Sequence, residues 1–226
     1  MKLGVVTGLA REAGCLPRNA PDLRVVCAGA DPERAESLSL DLIEQGCRAL
    51  LSFGVAGALA PELRVGDIIV SSGVTDVTGV VRPGAANWQV RVCDGLPRMN
   101  GIVRVGEIYG SDSEVATVQS KSDIYKRSGA LCVDMESHRM ARVAVAHSLP
   151  FLAIRVISDD ATGAIPSAAL GVIGANGRPQ IGRVMAGLLR HPEQLKALME
   201  LSRNMETAIA QLRRVTSLIG PLFRFA

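Results

Sequence analysis

Short runs of apolar, mostly β-branched and aliphatic residues recur along the chain and alternate with segments of helical periodicity. The runs cover residues 3–7, 23–27, 49–53, 67–71, 101–105 and 151–157. Because these runs are continuously apolar rather than alternating, they are typical of strands buried on both faces. The pattern predicts an α/β fold, with a single domain over residues 1–226 and a central, mostly parallel or mixed sheet flanked by helices.

The clearest helical segment lies between the second and third predicted strands. Asp31 is a suitable N-cap, Pro32 occupies the first helical position, and Gly46 ends a helix over residues 32–45. Further helices are predicted over residues 135–147 and 192–218, whereas residues 74–97 predict surface loops with short strands and residues 162–180 predict a loop.

The composition narrows the classes of function. Of the 226 residues 48% are hydrophobic and 3% aromatic, and 25 Lys and Arg against 22 Asp and Glu leave a net charge of only +3. This charge predicts no nucleic-acid partner, and the aromatic content excludes a platform of stacked side chains for single strands. The positive mean hydropathy of +0.24 instead favours a site lined by aliphatic residues.

Cysteine usage and the absence of long apolar runs bear on the compartment. The five cysteines form no C-x-x-C pair and no metal-like spacing with the three histidines, so reduced thiols and no metal or organic cofactor are expected. No run is long enough to span a bilayer, and the N-terminus lacks a signal-peptide pattern. The sequence therefore predicts a soluble, cytoplasmic protein.

Acidic and glycine residues stand near the carboxyl ends of predicted strands, where ligands of open α/β sheets bind. Glu12 follows the first strand, and Gly54 and Gly57 follow the third. Glu136 stands at the start of the second long helix, and Asp159 ends the last strand. Each acid alone fits a helix cap or a favourable first-turn charge, and the glycines alone fit a tight turn. Three acids at one sheet edge favour a catalytic site.

Two long motifs carry a family resemblance. FGVAGALAPELRVGDIIVS and VDMESHRMARVAVAHSLPFLAIRVISDDA resemble the purine nucleoside phosphorylase and methylthioadenosine nucleosidase superfamily, in the family's order and over almost the whole chain. The segment IPSAALGVIGANGRPQIGRVMAGLLRHPEQL is similar to the hopanoid-associated branch. The resemblance implies a phosphorylase/hydrolase-like fold and removal of adenine from a 5′-substituted adenosine, with adenosylhopane as the substrate.

The resemblance also implies roles for single residues. Asp159 would be a general acid, protonated at the start, that gives a proton to N7 of adenine. Glu136 would bind the ribose hydroxyls, with Met135 packed under the sugar, and Arg155 would orient the acids or form a structural ion pair with Asp159 or Glu136. Substrate contacts are also expected from Phe53, Gly54, Ala56 and Gly57, and Tyr109 is a second candidate to stack on the base.

The identity of the nucleophile remains open at this point. Glu12 matches a carboxylate that activates water in the nucleosidases, whereas phosphorolysis would need donors and positive charge for inorganic phosphate as co-substrate. Val55 stands where many family members have a Ser or Thr that binds phosphate or the attacking water, and Ser52 stands where some phosphorylases have a phosphate-binding Arg. The sequence therefore departs from a standard phosphate cradle. Substitutes for that cradle are Gly29 with Arg34 at a helix start, Arg11, Arg24, or an arginine from a neighbouring subunit.

Three functions follow as alternatives. The first is cleavage of adenosylhopane, the second hydrolysis of methylthioadenosine or adenosylhomocysteine, and the third binding of a nucleoside without catalysis. A homo-oligomer is expected from the resemblance. The C-terminal helix, with its apolar stripe, its arginines and the end Leu222, Phe223 and Phe225, could lie on the inner membrane surface or cover the protein's own sheet.

Overall fold

The computed structural model describes residues 1–96 and 102–225. In these ranges eight strands form one sheet: β1 (Leu3–Thr7), β2 (Leu23–Cys27), β3 (Ala49–Ala58), β4 (Ile68–Thr75), β5 (Arg82–Pro83), β6 (Val103–Gly110), β7 (Cys132–Asp134) and β8 (Phe151–Asp159). The helices are α1 (Ala10–Ala13), α2 (Pro32–Glu44), α3 (Ala86–Asp94), α4 (Val118–Ser128), α5 (Ser137–Ala146), α6 (Ile181–Arg190) and α7 (Leu195–Ile219).

The sheet is mixed, which confirms the predicted fold class. Strands run in the order β2-β1-β3-β7-β6-β4-β5, and β8 pairs with both β3 and β4. β1 pairs in parallel with β2 and β3, and β3 pairs in parallel with β8. Antiparallel pairs join β3 to β7, β4 to β8 and β4 to β5. The carboxyl ends of β1, β3 and β8 therefore meet at one edge.

Alternate residues of the strands enter two apolar cores, one on each face of the sheet. On one face Leu51 and Ile154 pack with Leu212 and Val215 of α7. On the other face Leu50 and Ile157 pack in the core that includes α2 and α5. Burial on both faces explains why the strands read as continuous apolar runs.

The C-terminal segment belongs to the first core. Phe223 is buried and its ring meets Phe53 edge-on, with centroids 5.1 Å apart. Trp88 Nε1 donates to the Phe223 carbonyl over 2.7 Å, and the Trp88 ring lies 5.0 Å from that of Phe225. The apolar stripe of α7 from residue 208 onward and the chain end thus cover the sheet, which is the second of the two alternatives for the C-terminal helix.

Several elements differ from the prediction. Residues 86–94 form α3 instead of a loop, and α4 and β7 were not predicted. Strands β3, β4 and β8 continue beyond the apolar runs through further residues that are mostly buried, among them Gly54, Gly73, Thr75 and Ser158. The predicted strand over 101–105 is observed as β6, and its first residue lies outside the described ranges. The described helices include none with the length and apolar character needed to cross a bilayer.

Candidate active site

A cavity of about 170 Å³ lies where β1, β3, β7 and β8 end. Six of the predicted site residues line it: Glu12, Ala56, Gly57, Met135, Glu136 and Asp159. Apolar side chains form much of the remaining wall, namely Leu9, Val55, Val115, Val133 and Ile165. The sheet edge therefore brings three predicted acids to one aliphatic pocket.

Glu12 is held at the floor of this cavity by two backbone amides. Leu9 N donates to Oε2 over 2.7 Å, and Val55 N donates to Oε1 over 2.8 Å. The side chain is buried, and burial raises the pKa of Glu12, while these amide bonds and the charge of Arg155 oppose that rise. A fixed carboxylate whose basicity is increased by burial suits a general base that takes a proton from water.

Glu136 has a strongly raised pKa. Burial, together with the charge of nearby Asp134, raises the pKa of Glu136 to about 8, and the Arg155 guanidinium opposes this rise. The protonated carboxyl has one donor and retains acceptor capacity, so it can bind a pair of neighbouring sugar hydroxyls. The arrangement is suited to hold a ribose.

Asp134 and Arg155 form a buried ion pair behind the acids. Arg155 Nε donates to Asp134 Oδ2 over 2.6 Å, and Arg155 Nη2 donates to Ser52 Oγ over the same distance. Asp134 Oδ1 accepts from Ser137 Oγ at 2.7 Å and from the Ser137 amide at 3.0 Å, which fixes the start of α5. Arg155 Nη2 lies 3.9 Å from Glu136 Oε2. The principal partner of Arg155 is therefore Asp134, which corrects the expected pairing with Asp159 or Glu136.

Asp159 has a cationic partner of its own, Lys121 of α4. Lys121 Nζ donates to Asp159 Oδ2 over 2.6 Å, and Ser158 Oγ donates to Oδ1 over 2.8 Å. Both contacts are donated to the carboxylate, whereas the family resemblance implies a carboxyl that is protonated at the start.

Three glycines leave room for the three acids. An added Cβ would lie 2.6 Å from Glu12 Oε1 at Gly54, 2.6 Å from Glu136 Oε1 at position 8, and 2.9 Å from Asp159 Oδ2 at position 57. Gly54 is not part of the cavity wall and acts through this close approach to Glu12. Gly54 and Gly57 lie within β3 rather than in the tight turn considered from the sequence, and both are required by packing rather than by dinucleotide binding.

The predicted aromatic contact with the base is wrong. The Phe53 side chain points into the core against Phe223 and is not part of the cavity wall. Tyr109 is buried in a separate cluster with Leu59 and Ile124. Among the described residues, the cavity wall contains no aromatic side chain. A base bound here would lie between aliphatic side chains.

The predicted phosphate ligands do not reach the cavity. Arg34 donates to the Ala175 carbonyl, and its amide is bonded to the cap residue Asp31 at 3.0 Å. Gly29 lines a neighbouring pocket, and an added Cβ there would meet the carbonyl oxygens of residues 174 and 175 at 2.9 Å. Arg11 pairs with Glu206, and Arg24 donates to backbone carbonyls.

Three parts of the site were not predicted from the sequence. They are Lys121, Asp134 as the partner of Arg155, and the wall residues of segment 113–115. A signal for Lys121 existed, since Thr117 caps α4, Gly129 follows it with φ +69°, and position 121 falls on the same face as Ile124. A lysine on the buried face of a helix requires a partner. In the described part of the chain, no group of three or more His, Cys, Asp or Glu side chains could hold a metal ion.

The sequence is similar to those of known nucleosidases over part of its length. The chain is 29% identical over 119 residues to the 5′-methylthioadenosine/S-adenosylhomocysteine nucleosidase of Thermotoga maritima, covering 49% of this chain and 53% of that protein. It is 27% identical over 177 residues to the nucleosidase of the same name from Treponema pallidum, covering 60% and 65%. The chain thus matches between half and two thirds of the length of these curated relatives.

Solved structures extend the similarity in fold to almost the whole chain. The Neisseria meningitidis 5′-methylthioadenosine/S-adenosylhomocysteine nucleosidase superposes with a TM-score of 0.73 at 16% identity, covering 96% of this chain and 97% of the other. The Helicobacter pylori futalosine hydrolase gives 0.68 at 15% identity, covering 96% and 97%. One family model, described as the Phosphorylase superfamily, matches residues 19–180, a segment that contains Glu136 and Asp159 and begins after Glu12. The chain belongs to the Phosphorylase superfamily.

Proposed function

We propose that this protein hydrolyses the N-glycosidic bond of a 5′-substituted adenosine, releasing adenine and the 5′-substituted ribose. The observation that carries the proposal is the convergence of Glu12, Glu136 and Asp159 on one aliphatic cavity. Cleavage of this bond passes through an oxocarbenium-like sugar, so carboxylates near the sugar stabilise the transition state more than the substrate.

Each acid has a distinct part in this reaction. Glu12, fixed by two amides, takes a proton from the water that attacks the sugar. Glu136 binds the ribose hydroxyls and Met135 packs beside it in the wall. Asp159 delivers a proton to the departing base, so that adenine leaves as a neutral molecule.

Water is the proposed nucleophile because the cavity has little to attract phosphate. Within the described ranges the wall contains no Lys, Arg or His side chain but several carboxylates. A phosphate dianion would meet like charge there without a compensating cation. The names of the relatives, which are nucleosidases and a futalosine hydrolase, also favour hydrolysis. A requirement for phosphate in adenine release would contradict this proposal.

Adenosylhopane is the substrate that we propose within this class. The sequence resemblance to the hopanoid-associated branch and the aliphatic cavity wall support it. Methylthioadenosine is the second candidate, supported by the named nucleosidases. We expect kcat/KM for adenosylhopane to exceed that for methylthioadenosine by at least about tenfold. A higher kcat/KM for methylthioadenosine would favour the second candidate. If adenine is released from neither substrate, only the third alternative, binding of a nucleoside without catalysis, would be left.

A lipid-linked substrate requires contact with a membrane, and we propose that α6 provides it. Ile181, Met185 and Leu189 on α6 are 67%, 50% and 82% exposed. Residues 161–192 contain three arginines and no Asp or Glu. An exposed apolar face with cationic neighbours suits an anionic phospholipid surface.

Vesicle sedimentation tests this contact. Wild type is expected to sediment with phosphatidylglycerol vesicles, and the double variant Met185→Glu/Leu189→Glu is expected to remain in the supernatant. Val145→Glu is the matched control, because Val145 is 57% exposed on α5 and should not matter. Equal behaviour of wild type and the double variant would refute the proposal.

We further propose a cytoplasmic homo-oligomer. Exposed aliphatic residues around β5 support an interface between copies, since Val77 and Val80 are 83% and 54% exposed. Analytical ultracentrifugation is expected to give at least a dimer, and Val77→Asp/Val80→Asp a monomer. A monomeric wild type would refute this proposal.

A further inference from the structure

Lys121 is an unusual residue because its side chain is fully buried. Its ammonium donates to Asp159 Oδ2 at 2.6 Å, to the Asp160 carbonyl at 2.7 Å and to the Gly163 carbonyl at 2.8 Å. An ammonium has three hydrogens, so these acceptors use all of them. Lys121 therefore has no hydrogen left for a substrate and is absent from the cavity wall.

The contacts of Asp159 raise a problem for the proposed reaction. Lys121 Nζ and Ser158 Oγ both donate to the Asp159 carboxylate, so the resting site favours the ionised form. An ionised carboxylate has no proton to give to the base. The nearest proton on a charged group is the one that Lys121 already directs at Oδ2.

We propose that Lys121 supplies the proton that Asp159 delivers to the leaving base. As negative charge develops on the purine, the Nζ–H bond breaks and an Oδ2–H bond forms. The Oδ2–H bond then breaks as the N7–H bond forms. Adenine leaves neutral, Asp159 is again a carboxylate, and Lys121 is a neutral amine that regains a proton from solvent after product release.

Burial favours the transfer of the proton from Lys121 to Asp159 while negative charge develops on the purine. A proton passing from the ammonium to the carboxylate neutralises two buried charges, so it is not opposed by loss of hydration as it would be in water. Lys121 does not touch the substrate and acts through Asp159, so it is a positioning residue that also holds the proton. The inference rests on the proposed adenine cleavage.

The experiment compares leaving groups that do and do not need a proton. Lys121→Met and Lys121→Gln are assayed with methylthioadenosine and with 4-nitrophenyl riboside, whose phenolate leaves unprotonated. We expect kcat for methylthioadenosine to fall about 100-fold or more, and that for the nitrophenyl substrate to change by less than about threefold. Asp159→Asn is expected to give the same pattern. The Gln variant retains two N–H donors, so it keeps much of the hydrogen bonding that Met removes.

Lys126→Met is the matched control, since Lys126 lies exposed on the same helix and its substitution should change kcat for neither substrate. Equal losses on both substrates in the Lys121 variants would reduce Lys121 to a structural role and overturn the inference. Unchanged rates on both would overturn it as well. If wild type cleaves 4-nitrophenyl riboside but releases adenine from no adenosine, the proposed function itself is wrong. This result comes from wild type alone and is therefore distinguishable from a failure of the inference about Lys121.

Discussion

Two close pairs of a cation and a carboxylate in the described part of the chain, Arg155 with Asp134 and Lys121 with Asp159, differ in what the carboxylate can still do. In both pairs the nitrogen and oxygen are 2.6 Å apart. The Asp134 side chain is 1% exposed and its oxygens are occupied by Arg155, Ser137 and the start of α5. Both aspartates border the cavity, but the Asp159 side chain is 13% exposed. The first pair holds the framework, whereas the second retains the access to solvent and substrate that chemistry needs.

Among the substitutions that distinguish the two pairs, Asp159→Asn is expected to have the largest effect, and that effect is on kcat. The amide cannot deliver the proton, so kcat should fall by about 10²- to 10⁴-fold. The free energy of unfolding should change much less than it does when the Arg155 pair is broken, and adenine-nucleoside binding, measured by calorimetry, should survive. Full activity in this variant would contradict the role assigned to Asp159.

Breaking the other pair should act on stability. Arg155→Met leaves Asp134 buried without its cation, which should lower the free energy of unfolding by about 3–5 kcal/mol. Urea unfolding measures this change. Arg142→Met is the matched control, because Arg142 pairs with Glu36 at the surface with its side chain 49% exposed, and its loss should cost about 1 kcal/mol or less. Similar losses of unfolding free energy in Arg155→Met and Arg142→Met would contradict the structural role assigned to the buried pair.

Gly54, which lies close to Glu12 at the cavity floor, allows the fixed position of the Glu12 carboxylate to be tested. In Gly54→Ala the new Cβ would lie 2.6 Å from Glu12 Oε1, so the carboxylate must move. A displaced base should lower kcat roughly 10- to 100-fold while the fold is retained. Gly182→Ala is the control, since no neighbouring atom lies within 4 Å of its added Cβ. The control should keep full activity, and an equally active Gly54→Ala would argue against Glu12 as a fixed base.

The effect that is smallest per unit of the changed variable concerns pH. The pKa of Glu136 is raised to about 8 from its ordinary 4.5, so the folded protein holds a proton that the unfolded chain has lost between these values. The contribution of Glu136 to stability is complete below pH 4.5 and is lost as pH rises from there to 8, by at most about 1.4 kcal/mol per pH unit. Glu136→Gln should flatten this fall in urea unfolding between pH 5 and 8. An unchanged slope would contradict the raised pKa.

The sequence predicted the framework better than the contacts. The strands of residues 3–7 and 23–27 and the capped helix α2 follow from local patterns and are observed within a residue. The three-residue strand β7 has too little sequence of its own to predict, and its place depends on pairing with β3 and β6. Long-range pairing of this kind is not encoded in any local periodicity.

The same limit applies to the site. Glu12 and Asp159 were predicted from their positions at strand ends, and Glu136 from its position at a helix start. The parallel strands β1, β3 and β8 bring the first two together, whereas Glu136 follows β7, which runs antiparallel to β3. Which face of the sheet Phe53 would enter, and which carboxylate Arg155 would contact, depended on register and packing. Lys121 reaches Asp159 from 38 residues away in the chain. Such contacts become visible only once the helices are docked on the sheet.

The decisive measurement is the fate of oxygen during adenine release. Wild type is incubated with methylthioadenosine or adenosylhopane in ¹⁸O-water, with and without inorganic phosphate, and the sugar product is examined by mass spectrometry. Adenine release that does not depend on phosphate, with one ¹⁸O on the released sugar, is the expected result. Release only with phosphate, with a sugar 1-phosphate as product, would contradict hydrolysis through Glu12.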